Sequence, residues 1–258
     1  MDAGTGAAAA ARGRRLAVWT EELRRELDSA TAPRVFYFRD DDAGWADERL
    51  LALTDLFARY SLPLDVAVIP AALEVPLASR LLARAEADPR LSFHQHGRAH
   101  TNHEPSGRAC EFGPARSARR QRADIAAGAT RLAELLGETE PLFTPPWNRC
   151  TATTGRCLLE LGFRALVRDA SADPLGIEGL DELQVHVDWA RADAVPRLSA
   201  ALRRPGPIGV MLHHELIGRG ERERLEDLLR LLASHPNADC VPLRSLVDAD
   251  PKAVASFG

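Results

Sequence analysis

Val-Phe-Tyr-Phe-Arg-Asp-Asp-Asp-Ala-Gly, at residues 35–44, joins a run of β-forming side chains directly to three consecutive carboxylates. A short apolar run of aromatic and β-branched residues is typical of a strand that is buried on both faces. Such strands occur in parallel sheets whose faces are covered by helices. The stretch therefore predicts a buried parallel strand that carries acidic side chains at its C-terminal end.

Short apolar runs alternate with amphipathic stretches along the rest of the chain. Further strands are predicted at residues 64–69, 91–96, 141–144, 163–167, 183–189, 208–212 and 239–241. Helices are predicted at residues 19–27, 47–60, 76–87, 117–136, 153–161, 194–202, 221–232 and 245–249. Strands that alternate with helices pair in parallel through right-handed crossovers. We therefore expect an α/β fold, an irregular (β/α)7-8 barrel. The alternative is an open doubly wound sheet, but no glycine fingerprint follows the first strand.

The length of 258 residues suits a single domain, because α/β barrels of about 250 residues form one domain. Residues 31–258 are predicted to form this barrel domain, and residues 1–30 a flexible N-terminus with a leading helix. The first 15 residues are rich in Ala, Gly and Arg and are expected to be disordered.

The composition excludes several classes of function. A net charge of -4 gives no electrostatic argument for nucleic-acid binding. No run of about 18 apolar residues and no signal-peptide h-region occur, so no membrane association and a cytoplasmic location are expected. The four cysteines lack CxxC pairs, which predicts reduced thiols and argues against a zinc ribbon.

Four of the eight histidines fall between residues 92 and 103: His94, His96, His100 and His103. Imidazole is the commonest side-chain metal ligand, and His96 and His100 have the spacing that places two rings on one side of a helical turn. The cluster predicts a metal site. The alternative is a polar surface loop whose histidines bind nothing.

Clusters of polar side chains, most of them acids or histidines, recur where predicted strands end. They lie at residues 40–42, 94–103, 145–148, 188–189 and 213–214. In a parallel barrel the loops after the strands share one mouth, where active sites form. We therefore expect these side chains to meet.

Five of these segments resemble, in order, the motifs of the polysaccharide deacetylase superfamily, the NodB-type (family 4) carbohydrate esterases. They are Arg39–Gly44 for the paired-Asp motif, His96–His100 for His-(Gly/Ser/Thr)-x-x-His, Thr144–Trp147 for Arg-Pro-Pro-Tyr/Trp, Asp188–Trp189 for Asp-Trp, and Met211–His213 for Leu-x-His. The resemblance covers about residues 35–245, and the second motif is the most specific.

The resemblance implies a barrel that binds one divalent metal through one Asp and two His, here His96 and His100. Zn²⁺ is the natural expectation for an open site of this kind, with Co²⁺ or Mn²⁺ as alternatives. The triple Asp leaves the register open. We favour Asp41 as the general base with Asp42 as the metal ligand; the alternative is Asp40 as the base with Asp41 as the ligand.

The implied reaction removes an N-acetyl or other acyl group from a sugar or polysaccharide-related substrate. Metal-bound water is the nucleophile, the Asp takes its proton, and His213 protonates the departing amine. The metal, together with a backbone N–H near Trp147, holds the oxyanion. Thr144 stands where the family has an arginine that pairs with the base. Either Arg39, which we favour, or Arg149 supplies that charge, or the base has no charged partner.

Other residues are expected to bind substrate or to support the site. The expected substrate-binding residues are Trp147, Trp189, Asp188, Asn148 and His214. The expected supporting residues are Asp40, His94 and His186, although His94 could equally be a core histidine. The expected partner is an N-acetylated carbohydrate or a related N-acyl small molecule.

Two competing hypotheses belong to other classes. The missing arginine at Thr144 is compatible with a catalytically weak barrel that acts as a carbohydrate-binding or scaffold protein. The His-x-His at residues 94–96 resembles the first-strand motif of amidohydrolase barrels, but here it follows the third predicted strand, so we favour that hypothesis less.

Overall fold

The computed structural model describes residues 19–247, and within this range strands alternate with helices. The strands are β1 (Arg34–Ala43), β2 (Leu64–Val68), β3 (Leu91–His96), β4 (Leu142–Thr144), β5 (Ala165–Asp169), β6 (Asp181–Asp188), β7 (Ile208–His213) and β8 (Ala238–Cys240). The helices are α1 (19–28), α2 (Asp47–Tyr60), α3 (Val75–Ala87), α4 (Ala118–Leu136), α5 (Ala152–Glu160), α6 (Ala194–Leu202), α7 (Arg219–Ser234) and α8 (Arg244–Val247). The predicted disordered residues 1–15 and the predicted helical residues 248–249 lie outside the described range.

Strands β1 to β7 close into a parallel barrel. Each pairs with its neighbour in chain order, and β1 pairs with both β2 and β7. Strand β8 lies beside the N-terminal part of β1 at Arg34–Phe36, whereas β2 pairs with β1 only from Arg39 onward. The predicted irregular barrel is confirmed, and the open doubly wound sheet is excluded.

Strand β1 continues through the acidic residues instead of ending before them. Asp41 pairs with His213 on the β7 side, and the register with β2 shifts between Asp40 and Ala43. Side chains alternate along a strand. Tyr37 and Asp41 therefore point into the barrel, whereas Phe38 and Asp40 point toward the surrounding helices.

Two apolar layers hold the acids of β1 in place. Phe36 and Phe38 belong to the main core, which packs β1 against α2 and α7. Tyr37 belongs to a smaller cluster inside the barrel with side chains of β5, β6 and β7, closed from below by Leu243 and Val247. The barrel interior is thus filled with apolar side chains at its base, and polar side chains collect at the mouth.

No helix among residues 19–247 is long and apolar enough to cross a membrane. Cys110, Cys150, Cys157 and Cys240 are free thiols, as predicted.

Asp65, buried on β2 near the base of the barrel, makes the stability of the fold depend on pH. Burial raises its pKa from 3.8 to about 6, although Ser92 and the backbone N–H of Leu243 donate hydrogen bonds to it. The folded protein thus holds a proton that the unfolded chain releases above about pH 4. The stability contributed by this proton is fully present below pH 4 and is lost as the pH rises through 6.

The free energy of unfolding of Asp65→Asn, compared with that of the natural protein, is expected to rise by about 3 kcal/mol as the pH goes from 4 to 7. The amide keeps the shape of the side chain, accepts from Leu243 and donates to Ser92, and carries no charge. Urea unfolding across this pH range measures the difference. A difference that stays constant with pH would contradict the assignment.

Candidate metal centre and active site

Three side chains converge at the barrel mouth as a candidate metal site. The Nε2 atoms of His96 and His100 lie 3.1 and 3.3 Å from Oδ1 of Asp42. Ligand atoms that sit about 2.0–2.1 Å from one tetrahedral ion are separated by roughly 3.3 Å. The spacing of the three atoms therefore fits a divalent metal, and the set leaves coordination positions for water and substrate.

The protonation of these groups also suits a cation. Nδ1 of His96 lies 3.0 Å from the carbonyl oxygen of Thr144. When the neutral ring donates its proton to that carbonyl, the Nε2 lone pair faces the carboxylate, so two acceptors point at each other. Burial lowers the pKa of His100, and the neighbouring His96 lowers it further. A cation between these atoms would relieve their repulsion.

The carboxylate of Asp42 stays ionised. Burial would raise its pKa, but when the histidines of the mouth are protonated, the hydrogen bond and charge of His96 and the charges of His100 and His213 lower it to about 2. Asp42 has a left-handed backbone with φ of 69°, directly at the register shift of β1. This conformation turns Asp42 out of the alternation of β1 and toward the two histidines.

The prediction that His96 and His100 lie on one helical turn is wrong. His96 ends β3, and the chain then bends through Gly97 and His100, whose φ values are 58° and 53°. A helix would not contain residues of positive φ. The two rings meet because of this bend, which the spacing of four residues alone does not specify.

Asp41 lies beside the candidate metal site and is paired with Arg39. Nε and one terminal nitrogen of the guanidinium lie 2.8 Å from the two carboxylate oxygens, and both side chains are almost fully buried. Arg39 also donates to the carbonyl of Val167 and to Oδ1 of Asn148. Arg149 instead donates to the carbonyl of Ala109, so Arg39 is the arginine that forms the ion pair with Asp41.

Asp40 lies behind the mouth, where it holds His214. Its carboxylate contacts Nδ1 of His214 at 2.7 Å and accepts the backbone N–H of the same residue at 3.0 Å. Nε2 of His214 lies 2.7 Å from the carbonyl of Trp45. The alternative register, with Asp40 as base, does not fit this placement. The expectation that His214 binds substrate is corrected, because both of its nitrogens are engaged and the residue is buried.

His213 faces the mouth, with its Nδ1 3.7 Å from Oδ1 of Asp188. Burial would lower the pKa of His213, but the nearby carboxylate of Asp188 and the charges of Asp41 and Asp42 raise it to about 9. Asp188 is correspondingly ionised, since its pKa is lowered by His213 against the effect of burial. His213 is therefore protonated at neutral pH and can donate a proton into the mouth.

Asp188→Asn is expected to lower the pKa of His213 from about 9, because the lost carboxylate no longer stabilises the imidazolium. NMR titration of the histidine ring protons in metal-free protein measures the shift. Asp193→Asn, which removes an exposed acid paired with Arg197, is the control. An unchanged His213 titration in Asp188→Asn would show that the two residues are not coupled.

Two tryptophans flank His100. Its ring centroid lies 4.4 Å from Trp147 and 5.0 Å from Trp45, and Trp45 is 38% exposed. Trp189 lies elsewhere: it is buried, packs against Trp19, and donates its indole N–H to the carbonyl of Glu221. The expectation that Trp189 stacks on a sugar is corrected, because its ring has no exposed face.

The remaining expected residues have structural contacts. His94 Nε2 lies 2.9 Å from Oγ1 of Thr144, and burial lowers the pKa of His94 well below its ordinary value, so its ring is neutral. His94 thus contacts Thr144 on β4, the residue whose backbone carbonyl orients His96. His186 accepts the backbone N–H of Gly209 at the register shift of β6. It therefore does not support the metal site, which corrects that expectation.

Sequence reasoning missed the buried Glu111, whose carboxylate accepts the backbone N–H groups of Arg98 and Ala99 between the two candidate histidine ligands. The sequence marks Glu111 only as a charged residue between Cys110 and Phe112, in a loop without periodicity, and this does not identify it as part of the site. Trp45 was likewise not assigned to the site.

Comparisons with known proteins identify the fold. No family model matches the sequence, and no curated protein matches it. A protein from Mycobacterium smegmatis that is assigned as a polysaccharide deacetylase has 15% identity and a TM-score of 0.67, over 88% of this chain and 95% of that one. A family 4 acetyl xylan esterase from Clostridium thermocellum, in complex with cobalt, has 15% identity and a TM-score of 0.56, over 82% and 89%.

A third similar structure is a family 4 pseudoenzyme from Bacillus anthracis, with 12% identity and a TM-score of 0.54 over 84% of this chain and 66% of that one. The barrel thus has the fold of the polysaccharide deacetylases and family 4 carbohydrate esterases, as the motifs predicted.

Proposed function

We propose that the chain is a metal-dependent hydrolase that removes an acetyl or other acyl group from the nitrogen of a sugar or polysaccharide-related substrate. The proposal depends on one observation: three kinds of group lie together at the barrel mouth. They are the candidate ligands Asp42, His96 and His100, the carboxylate of Asp41 outside that set, and the protonated His213. The fold supports it, since similar structures are described as deacetylases and esterases.

Asp42, His96 and His100 would hold the metal. Nitrogen and carboxylate ligands with open positions suit Zn²⁺, and Co²⁺ and Mn²⁺ are the other candidates. When bound, such an ion polarises the acyl oxygen and lowers the pKa of water from 15.7 to about 7.

Asp41 is the proposed general base. Its carboxylate is not among the three converging ligand atoms, and Arg39 fixes its orientation through two contacts. It would accept a proton from water as the water oxygen bonds to the acyl carbon. The guanidinium is itself anchored to the backbone carbonyl of Val167 on β5, which restricts the rotation of the base.

His213 is the proposed general acid. As the C–N bond breaks, the imidazolium would donate its proton to the leaving nitrogen, and Asp188 would stabilise the charged ring beforehand. The products are a carboxylate, acetate in the simplest case, and a free amine. The water oxygen ends in the carboxylate, one water proton passes to Asp41, and the other is released as the carboxylate ionises. Return of the proton from Asp41 to His213 would restore both groups.

The turn after β4 is proposed to bind the reacting acyl group. Trp147 and Asn148 both have positive φ, at 56° and 57°, and the N–H groups of Asn148 and Arg149 are bonded to Pro145 and Pro146. The turn places the ring of Trp147 4.4 Å from that of His100 at the mouth. We assign the N–H of Trp147 to the developing oxyanion and its ring, beside His100, to the sugar or acyl face.

Acetate release from a panel of N-acetylated mono- and oligosaccharides, with added Zn²⁺, Co²⁺ or Mn²⁺, tests the proposal. The natural protein is expected to release acetate only with metal, and His96→Ala to release none. Absence of release from every substrate by metal-loaded protein would refute the hydrolase assignment.

A second candidate is a carbohydrate-binding protein without catalysis. The similar fold of a pseudoenzyme and the threonine at position 144 favour it. Calorimetric binding of an N-acetylated sugar that is returned unchanged after incubation with the metal-loaded protein would support this candidate over the hydrolase.

A further inference from the structure

The segment between the two candidate histidine ligands is held by a buried carboxylate. Glu111 lies on the connection between β3 and α4 and is only 1% exposed. Its Oε1 accepts the backbone N–H of Ala99 at 2.8 Å, and its Oε2 that of Arg98 at 3.2 Å. Hydrogen bonds from backbone amides to an ionised carboxylate are among the stronger hydrogen bonds in proteins.

The rest of this segment is also anchored. The N–H of Gly97 donates to the carbonyl of Thr144, and the side chain of Gln95 donates to the carbonyl of Gly97. The carbonyl of Arg98 accepts from the backbone N–H of Ala71. Glu111 supplies the acceptors for the remaining two amides, so the backbone from Gly97 to Ala99 is held from several sides.

Glu111 and Gly97 are complementary in shape. Oε2 of Glu111 lies 2.2 Å from the position that a Cβ on residue 97 would take, and Cγ and Cδ of Pro146 lie 2.5 and 2.6 Å from that position. Glycine also tolerates the φ of 58° found there. The carboxylate therefore fills the position that a larger residue 97 would need, and it fixes the bend that precedes His100.

We propose that Glu111 is a positioning residue for metal binding. By holding the amides of Arg98 and Ala99, it keeps the bend that lets His96 and His100 present their Nε2 atoms to one point. Glu111 itself is not a ligand. The inference rests on the proposed function, because it assumes the metal site at these histidines.

Titration of metal-free protein with Co²⁺, followed by visible absorption, tests the inference without any assay of activity. Glu111→Gln keeps the shape of the side chain but turns an amide nitrogen toward one of the two backbone donors. We expect the Co²⁺ affinity to fall by about 10- to 100-fold, the range measured for groups that orient metal ligands.

Glu104→Gln is the matched control. Glu104 lies on the same connection, accepts the backbone N–H of Ala115 at 3.1 Å, and packs against Gly113 as Glu111 packs against Gly97. Its carboxylate does not hold the ligand segment. Its substitution is expected to leave the Co²⁺ dissociation constant within about twofold of the natural value.

Amide hydrogen exchange separates positioning from a general loss of structure. In metal-free Glu111→Gln, the amides of Arg98 and Ala99 are expected to exchange faster, while those of the barrel strands keep their protection. Glu111→Asp, whose carboxylate is one methylene further back, is expected to bind Co²⁺ with intermediate affinity. It serves as the test variant if Glu111→Gln does not fold.

The outcomes distinguish the two proposals. Natural protein that binds no stoichiometric Co²⁺ would overturn both the metal site and this inference. Tight binding by the natural protein and equal affinity in Glu111→Gln or Glu111→Asp would overturn the inference alone. An equal loss in Glu104→Gln would overturn it too, by showing that any change in the connection has the same effect.

Discussion

Replacement of Asp42 by asparagine is expected to weaken Co²⁺ and Zn²⁺ binding by more than about 100-fold, beyond the usual effect of losing a group that only orients a ligand. Oδ1 of Asp42 is the atom on which both histidine nitrogens converge, at 3.1 and 3.3 Å. A neutral amide removes the negative charge from the ligand set. Elemental analysis of purified protein and Co²⁺ titration measure the loss.

Asparagine is the informative substitution because of the backbone at this position. The φ of 69° lies in the left-handed region, which asparagine and aspartate tolerate better than other residues with a Cβ. Asp42→Asn should therefore fold, whereas alanine would add backbone strain of about 1–2 kcal/mol. Loss of metal from a stably folded variant can then be assigned to the ligand.

Asp55→Asn is the matched control for Asp42→Asn. Asp55 is an exposed acid on α2 that pairs with Arg84, so its substitution changes the net charge equally but leaves the mouth intact. It is expected to bind metal as the natural protein does. If Asp42→Asn kept full metal affinity while Asp41→Asn lost it, the assignment of ligand and base would have to be reversed.

The barrel and the position of its mouth could be predicted because they depend on repeated patterns. Each predicted strand is recognisable from its apolar residues. Because the C-terminal ends of parallel barrel strands share one mouth, Asp42, His96 and His213 are then expected to lie close together. Only the closed barrel makes these distant segments neighbours.

One error arose where the regular alternation breaks. A register shift in β6 between Val185 and Val187 reorients His186, whose ring accepts the backbone N–H of Gly209 instead of facing the mouth. One displaced residue exchanges the faces of a strand. Trp189 follows Asp188, and ordinary alternation already turns it away from the mouth. Glu111 could not be predicted for a different reason, since its contacts depend on how a long connection folds back on β3.

The pair formed by Asp41 and Arg39 leads to the second large effect, a loss of rate without a loss of metal. Asp41→Asn is expected to lower kcat about 10²- to 10⁴-fold at saturating metal, the usual contribution of a general base. The Co²⁺ affinity should stay within about tenfold of the natural value, because this carboxylate is not one of the three converging ligand atoms. Measuring kcat and metal affinity on the same preparation separates base from ligand.

Arg39→Met tests whether the arginine is needed for the same group. It would leave the buried carboxylate of Asp41 without its partner, and breaking a buried ion pair in this way costs about 3–5 kcal/mol of stability. The double variant Arg39→Met with Asp41→Asn removes both charges and should recover much of that loss in urea unfolding. Additive losses in the double variant would show that the two side chains do not act as a pair. Because residue 144 is Thr144 and not an arginine, the base would then have no charged partner.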